Sequence, residues 1–96
     1  MSPENFKKLK ELRKKLDKLD NSFIKLIKKR SNLVEKVLSL KKNKNEIVDQ
    51  KRIKLILKEI RKKSIKNKID PKITNRIWRN MIWSFIDFER RKFGKK

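Results

Sequence analysis

Apolar residues recur three and four positions apart through most of the first half of the chain. The series consists of Leu9, Leu12, Leu16, Leu19, Phe23, Leu26, Leu33, Val37 and Leu40, and almost no helix-breaking residue occurs before residue 43. Such spacing places every member on one face of an α-helix, so it predicts a single helix over about residues 5–42. At ~1.5 Å per residue, this helix would measure roughly 57 Å.

A helix of this length constrains how the chain can bury its apolar surface. A compact chain of 96 residues has a radius of gyration near ~12–13 Å, so the rest of the chain cannot cover the whole helix. We therefore expect a homodimer in which the long helices of two copies pack together. The apolar face also widens in its C-terminal half, at Ile24, Ile27, Val34 and Leu38, which predicts that further helices pack there.

The second half of the chain predicts two shorter helices. Residues 42–46 are polar and rich in Asn, which is typical of a loop, and Asp49 can cap a helix over about 49–66. Asp70 followed by Pro71 begins a third helix, over about 71–93, and Gly94 ends it. No strand pattern or linker is evident. The sequence therefore predicts an all-α fold with one long, one short and one medium helix, in a single domain over residues 1–96.

The composition restricts the chemistry that the chain can perform. With no Cys and no His, it has no thiol or imidazole nucleophile and lacks the usual transition-metal ligands, so we expect no cofactor and no metal. No apolar run has the length of a membrane span, and the first residues lack the apolar core of a signal peptide. We therefore expect no membrane association and a cytoplasmic location.

The net charge indicates an anionic partner. Lys and Arg number 32 against 11 acidic residues, which gives a formal net charge of +21. A balance of this kind favours polyanion binding. A composition rich in Lys, Ile and Asn, as an AT-rich genome produces, explains the same lysines without a function. The basic residues are spread over all three helical segments, and this distribution makes nucleic-acid binding the weaker interpretation.

Three charged residues fall on faces that should be apolar. Arg30 occupies the position of the apolar series between Leu26 and Leu33, and a buried guanidinium needs an anionic partner. Lys41 follows Arg30 by eleven residues, which returns it to nearly the same helix face. Glu89 continues the apolar face of the third helix. For Arg30, the alternative explanations are an internal ion pair or a long side chain whose charged end reaches water. For Lys41 the alternative is a solvated helix end, and for Glu89 it is a fraying terminus where neighbouring basic residues draw it outward.

Three further polar residues carry a weaker signal. Arg13 lies beside the apolar series of the first helix, and Asp49 and Arg52 are three apart at the start of the second. A basic surface explains Arg13, and helix capping explains Asp49. None of the three indicates a binding site by itself.

Taken together, these positions resemble a known family. The segments that carry the resemblance are Leu12-Arg13-Lys-Lys-Leu-Asp17-Lys-Leu-Asp20, Leu26-Ile-Lys-Lys-Arg30, Lys41, Asp49-Gln-Lys-Arg52, Ile69-Asp70-Pro71 and Ile77-Trp78-Arg79. They are similar to those of the all-helical chorismate mutases over roughly residues 9–89. The resemblance implies an intertwined homodimer whose two active sites each use residues of both subunits. It also implies the rearrangement of chorismate to prephenate without a cofactor.

The resemblance further implies roles for individual residues. Arg13 would come from the partner subunit and bind a carboxylate of the substrate, and Arg30 would bind a carboxylate from within the bundle. Lys41 would donate to the breaking ether oxygen and to a carboxylate. Asp49 would help to hold the ring hydroxyl, and Arg52 would support the wall of the site. Glu89 would face the ether oxygen, where only the protonated acid can donate a hydrogen bond.

Two positions depart from the pattern of the mutases. A Glu usually follows the Arg of the second helix, and here that residue is Ile53. A Ser commonly lies four residues before the position of Glu89, and here that residue is Phe85. Both departures allow the related isochorismate-pyruvate lyases, which tend to have an aromatic residue near Phe85, whereas Asp49 favours the mutase. We include Phe85 among the expected substrate-binding residues. The sequence thus favours a mutase, with such a lyase as the first alternative and a basic nucleic-acid-binding protein as the second.

Overall fold

The computed structural model describes residues 1–94, and within them the chain is entirely helical. Helix α1 spans Pro3–Ser39, α2 spans Gln50–Lys66 and α3 spans Pro71–Lys92, and a short 3₁₀ turn at Lys44–Glu46 lies between α1 and α2. The described residues include no strand. The prediction of an all-α fold with a long, a short and a medium helix is therefore confirmed.

Each helix begins at a residue that caps it. Ser2 Oγ accepts a hydrogen bond from the backbone N–H of Asn5 at 3.2 Å. Asp49 Oδ1 accepts from the N–H of Arg52 at 3.0 Å, and Asp70 Oδ1 accepts from the N–H of Lys72 at 2.9 Å. These oxygens satisfy amides of the first helical turn that have no partner within the helix. The capping roles predicted for Asp49 and Asp70 are confirmed.

Helix α1 ends three residues earlier than predicted. The N–H groups of Leu40 and Lys41 donate to the carbonyls of Val37 and Leu38, three residues back, both at 3.0 Å. Bonds of this spacing tighten and terminate the last turn. Lys41 consequently lies beyond the helix, and the helix face that it was predicted to share with Arg30 ends before reaching it.

Helices α2 and α3 form a hairpin. Two bonds close the end of α2, from the N–H of Ile69 to the carbonyl of Ser64 at 2.9 Å and from that of Lys68 to the carbonyl of Ile65 at 3.1 Å. Lys68 has φ 56°, the left-handed conformation that this helix ending requires and that Gly usually supplies. Beside the connection, Ser64 Oγ and Thr74 Oγ1 share a buried hydrogen bond of 2.6 Å.

The chain divides into two compact units, of which the second begins at Val34. The second unit contains the hydrophobic core, formed by Leu38, Ile47, Ile82 and Ile86. Half-buried apolar residues of the hairpin and its flanks pack against it: Val48, Ile53, Ile56, Leu57 and Phe93. The core thus joins the last turn of α1, the connection after it and both helices of the hairpin.

The first unit, Met1–Leu33, consists almost entirely of the N-terminal part of α1. Its apolar series is exposed. Leu19 and Leu26, for example, are 57% and 59% accessible to solvent. The apolar spacing therefore predicts the helix correctly, but the apolar face of the helix is exposed to solvent in the single chain. Within residues 1–94, no helix combines the length and the apolar content needed to cross a membrane.

Candidate active site

The centre of the candidate site is an ion pair between Lys41 and Glu89. The Lys41 Nζ lies 3.6 Å from Glu89 Oε2, and both side chains are mostly buried. Glu89 is only 6% exposed, because it continues the buried face of α3 one turn after Ile86. The prediction that Glu89 lies on the apolar face is confirmed, and its position inside the packed helix excludes the fraying terminus as an explanation.

Lys41 is held from a second side by the main chain. Its Nζ donates to the carbonyl of Ile47 at 3.4 Å. Ile47 is 3% exposed and belongs to the core, so the accepting carbonyl is anchored by the packing of its own side chain. The ammonium therefore lies between a core carbonyl and a buried carboxylate rather than in solvent, where a lysine at a helix end would ordinarily lie.

The turn between Lys41 and Ile47 is organised by Glu46. Its Oε2 accepts hydrogen bonds from the backbone N–H groups of Lys42, at 2.6 Å, and Asn43, at 3.0 Å. The bonds from Asn43 and Lys42 lower the pKa of the Glu46 carboxyl below its ordinary value, and attraction to the Lys41 ammonium adds to this effect. Glu46 thus carries a negative charge at neutral pH.

An open cleft of about 600 Å³ lies beside this turn. It is lined by Val37, Leu40, Lys41, Glu46, Val48, Asp49, Gln50 and Lys51. Lys41 and Asp49, which were predicted separately as site residues, thus share one cleft. A second cleft, of about 470 Å³, also includes Lys41, together with Lys42, Lys92 and Phe93.

The other predicted residues of the second unit lie on α2 and α3. Asp49 is exposed, and its Oδ1 caps α2 through the backbone N–H of Arg52. Arg52 is exposed in the first turn of α2. Phe85 is half-buried one helical turn before Glu89, and its ring meets that of Phe88 edge-on, at 6.3 Å between centroids. Phe85 therefore lies on the same side of α3 as the carboxyl of Glu89.

Two predicted site residues, Arg13 and Arg30, belong to the first unit. Both lie on α1, where Arg13 is exposed and Arg30 is half-buried. Arg30 is thus less exposed than Leu26 and Leu33, its neighbours in the apolar series, which are 59% and 60% accessible to solvent. Within residues 1–94, no group of acidic residues is arranged to hold a metal ion.

The sequence interpretation missed the contribution of the short turn. Residues 42–46 were taken as a plain polar loop, whereas Glu46 binds two amides and Ile47 enters the core. The spacing of Asn43 and Glu46, which is that of a capping box, could have indicated the contacts of Glu46. The return of apolar residues at Ile47 and Val48 after a polar run could have indicated that Ile47 enters the core.

The pair has a geometry that suits a shared ligand atom. Because the two groups are 3.6 Å apart, an oxygen to one side of the pair can lie within hydrogen-bonding distance of both, since such bonds measure about 2.7–3.0 Å. An ammonium offers three N–H donors, and a protonated carboxyl offers one. The arrangement can therefore stabilise an oxygen that gains negative charge.

Comparison with known proteins identifies relatives of the chain. The sequence profile described as chorismate mutase type II matches residues 12–90. A chorismate mutase of Methanocaldococcus jannaschii is 37% identical over 76 residues, which cover 78% of this chain and 77% of that protein. No solved structure matches the chain significantly.

Proposed function

The chain belongs to the chorismate mutase type II family, and we propose that Lys41 and Glu89 form the centre of its active site. The activity is that of an isomerase, which rearranges chorismate to prephenate. The observation that carries the assignment of the site is the buried contact between Lys41 Nζ and Glu89 Oε2, at 3.6 Å. It unites two residues that sequence reasoning identified independently.

The reaction makes few demands on side-chain chemistry. One carbon–oxygen bond of the substrate ether breaks while a carbon–carbon bond forms within the same molecule, so the protein supplies no nucleophile and no electrons. It has to hold a flexible dianion in its reactive shape. It also has to stabilise the negative charge that grows on the ether oxygen. A chain without His or Cys can meet both requirements.

Lys41 is proposed to donate to the ether oxygen and to a substrate carboxylate. The contact with the Ile47 carbonyl, at 3.4 Å, holds the ammonium in place before the substrate arrives. Preorganisation of this kind is what makes a donor effective in the transition state, because no reorientation is then required. The contact with Glu89 fixes the direction of the side chain from the opposite side.

Glu89 is proposed to donate a hydrogen bond to the same oxygen. A carboxylate would repel an oxygen that becomes negative, so this role requires the protonated acid. The place of Glu89 on the buried face of α3, 3.6 Å from Lys41 Nζ, supports this role.

The remaining residues are proposed to bind and surround the substrate. Arg30 and, from the partner subunit, Arg13 would each pair with a carboxylate, for which the guanidinium fork is well suited. Asp49 would hold the ring hydroxyl, and its place in the cleft beside Lys41 supports this role. Arg52 would support the wall of the site, and Phe85 would pack against the substrate from α3.

A homodimer with shared active sites is part of the proposal. The support is the exposure of the apolar series of α1, which extends to Leu40, 81% accessible to solvent. A continuous apolar face of this size is typical of a protein interface. Its alternating spacing of three and four residues suits a second helix of the same kind. A second copy of the chain would bury this face and could bring its Arg13 to the site.

Product identification tests this function. Purified protein is incubated with chorismate and, separately, with isochorismate, and the products are identified by mass spectrometry and NMR. Prephenate from chorismate is the expected result, with the Lys41→Met variant as the control for a contaminating enzyme. Formation of salicylate and pyruvate from isochorismate, without prephenate, would instead indicate the lyase.

The two alternatives are less well supported than the mutase. The family match and the relative from M. jannaschii are both chorismate mutases, and neither comparison favours a lyase or a nucleic-acid-binding protein. Binding to DNA that disappears at moderate salt would reflect only the charge of +21. A cytoplasmic location belongs to the proposal and agrees with the absence of cysteine.

A further inference from the structure

We propose that Glu46 is a positioning residue that holds the turn after α1 in the shape that directs Lys41 into the active site. The inference depends on the function proposed for Lys41. It assigns a role in the reaction to a residue that lies on the rim of the cleft. Glu46 would not touch the reacting atoms, and it would act only through Lys41.

The contacts of Glu46 are made to the two peptide groups that directly follow Lys41. A single atom, Oε2, accepts from the N–H of Lys42 at 2.6 Å and from that of Asn43 at 3.0 Å. These amides lie just past the end of α1, where a chain without such an acceptor would leave them to water. The carboxylate therefore fixes the direction in which the chain leaves Lys41.

The turn is closed at its other end as well. The N–H of Glu46 donates to the carbonyl of Asn43 at 3.1 Å, and that of Ile47 donates to the carbonyl of Lys44 at 3.2 Å. The Ile47 carbonyl in turn accepts from Lys41 Nζ at 3.4 Å. Together these contacts close a ring. Glu46 fixes the backbone after Lys41, and the Ile47 carbonyl accepts a hydrogen bond from the ammonium of Lys41.

Loss of the Glu46 acceptor would open this ring on one side. The side chain of Ile47 would remain anchored in the core, whereas residues 42 and 43 would no longer be tied to Glu46. Lys41 would then be held by its backbone bond to the Leu38 carbonyl and by the contacts of its ammonium, while the chain that follows it would be free to turn. A displacement of about 1 Å at a catalytic group can lower a rate by about 100-fold, so a small change in this turn suffices to affect kcat.

Glu46 could also act on Lys41 by charge, and two variants separate the mechanisms. Glu46→Gln removes the charge and keeps an oxygen at the same reach, and because Oε2 alone makes both contacts, the amide oxygen can replace it. Glu46→Asp keeps the charge and shortens the side chain by one methylene group. Positioning predicts that Asp impairs the enzyme more than Gln, and an effect of charge predicts the reverse order.

The test measures kcat and KM for prephenate formation in the wild type and in Glu46→Ala, Glu46→Asp and Glu46→Gln. We expect Glu46→Ala to lower kcat about 10-fold with a smaller change in KM, because the transition state depends most on Lys41. Glu46→Gln should stay within about threefold of the wild type, since a neutral acceptor bonds less strongly than a carboxylate. Equal kcat values for Ala, Gln and the wild type would overturn the inference, and so would Gln being worse than Asp.

A double-mutant cycle with Lys41→Met shows whether Glu46 acts through Lys41. In the Lys41→Met background, Glu46→Ala should change kcat by less than about twofold, because coupled residues are not additive. A full 10-fold loss in that background would mean that Glu46 supports the fold in general, and would refute the proposal. The affinity for prephenate, measured by calorimetry in the same four proteins, gives a second cycle that does not require residual activity.

Two controls keep the outcomes distinct. Far-ultraviolet circular dichroism and thermal unfolding establish whether each variant is folded at the assay temperature. If Glu46→Ala is unfolded, the comparison of Glu46→Gln with Glu46→Asp decides the question. The wild type tests the proposed function separately, because prephenate formation does not depend on Glu46 having this role. A wild type that makes prephenate, with Glu46 variants that leave kcat unchanged, would refute only this inference.

Discussion

At the scale of single residues, Lys41 and Glu89 are two mostly buried charged groups, and each is the other's partner. Burying a carboxyl on the face of a core helix is costly unless it meets a hydrogen-bonding or charged partner, and the Lys41 ammonium provides one at 3.6 Å. A buried ion pair is weak support for stability, since the two charges lose hydration when they are brought together. The proposed role in the reaction gives this pair a purpose that stability alone does not.

The first prediction concerns the charge of Lys41. Lys41→Met should lower kcat by about 10²–10³-fold, the usual effect of removing one donor from a developing oxyanion. Lys42→Met is the matched control, because Lys42 is the next residue, is exposed, and makes its contact to Glu46 through the main chain. Steady-state assays with chorismate measure both. A Lys41→Met enzyme with wild-type kcat would remove Lys41 from the mechanism.

The second prediction concerns the hydrogen bond that Glu89 donates. Glu89→Gln keeps an N–H donor at the same place, so it should retain or raise kcat at neutral pH. Glu89→Ala removes the donor and should lower kcat by about 10²-fold. Steady-state rates with chorismate compare both variants with the wild type. Equal kcat values for the wild type, Gln and Ala would contradict the role.

At the scale of secondary-structure elements, the α2–α3 hairpin and the turn after α1 determine the geometry of the site. The hairpin carries Glu89 on one helix and the Asp49 cap on the other. The turn presents Lys41 to both. Apolar residues of both elements, such as Ile47 and Ile82, enter the core, and hydrogen bonds at the turn and at the start of each helix fix their ends.

The third prediction addresses the polar contact in the hairpin. Ser64 Oγ lies 2.6 Å from both Thr74 Oγ1 and the Ile60 carbonyl, and Ser64 is buried. Ser64→Ala should lower the free energy of unfolding by about 1–2 kcal/mol, since it leaves the buried Thr74 hydroxyl with fewer partners. Urea titration followed by circular dichroism measures the change. Ser22→Ala is the control, because Ser22 bonds only its own helix, at 3.4 Å, and is exposed.

The fourth prediction uses the pKa of Glu46, which is lower in the folded protein than its ordinary value of 4.5. A carboxyl of this kind stabilises the fold above its pKa in the unfolded chain, and the contribution disappears as the pH falls through the lower pKa of the folded state. The wild type should therefore melt at a higher temperature than Glu46→Gln at neutral pH, and the two should converge below pH 4.5. Glu59→Gln makes the same change in net charge elsewhere and corrects for its general effect. A difference in melting temperature that persists unchanged in acid would contradict the interpretation.

At the scale of the whole molecule, the exposed apolar face of α1 and the proposed shared active site would both require a dimer. A single chain leaves Leu19, Leu26 and Leu40 largely exposed. The proposed dimer covers this face with a second copy and supplies Arg13 from the partner subunit. Burial and catalysis would then depend on the same assembly, so that a monomer would lack both.

The fifth prediction tests this claim by mixing two inactive enzymes. Arg13→Ala and Lys41→Met should each be impaired alone. If every site takes Arg13 from one subunit and Lys41 from the other, a mixed dimer contains one site with both residues intact. An equal mixture, unfolded and refolded together, should therefore regain about a quarter of the wild-type activity, because half of the dimers are mixed and each has one of two sites. Activity that stays at the average of the two parents would exclude sites shared in this way.

The sequence by itself determined the helices and much of the chemistry. Apolar spacing gave α1, and the Asp49 and Asp70 caps located the starts of α2 and α3, because these signals are local and depend on residues within a few positions of one another. Arg30 was recognisable as an anion-binding candidate because it interrupts a regular apolar series. The family could be recognised because the segments that define it lie at fixed intervals along the chain.

Only the tertiary structure decided how the chain turns after α1 and which charged groups meet. Helical spacing assigned Lys41 to the face of Arg30, yet α1 ends at Ser39 because the last amides bond three residues back and Glu46 binds the next two. The contact of Lys41 with Glu89 joins residues distant in sequence, through the packing of α3 against the end of α1 and the turn that follows. Such contacts follow from side-chain packing in three dimensions, for which the order of residues along the chain carries no local signal.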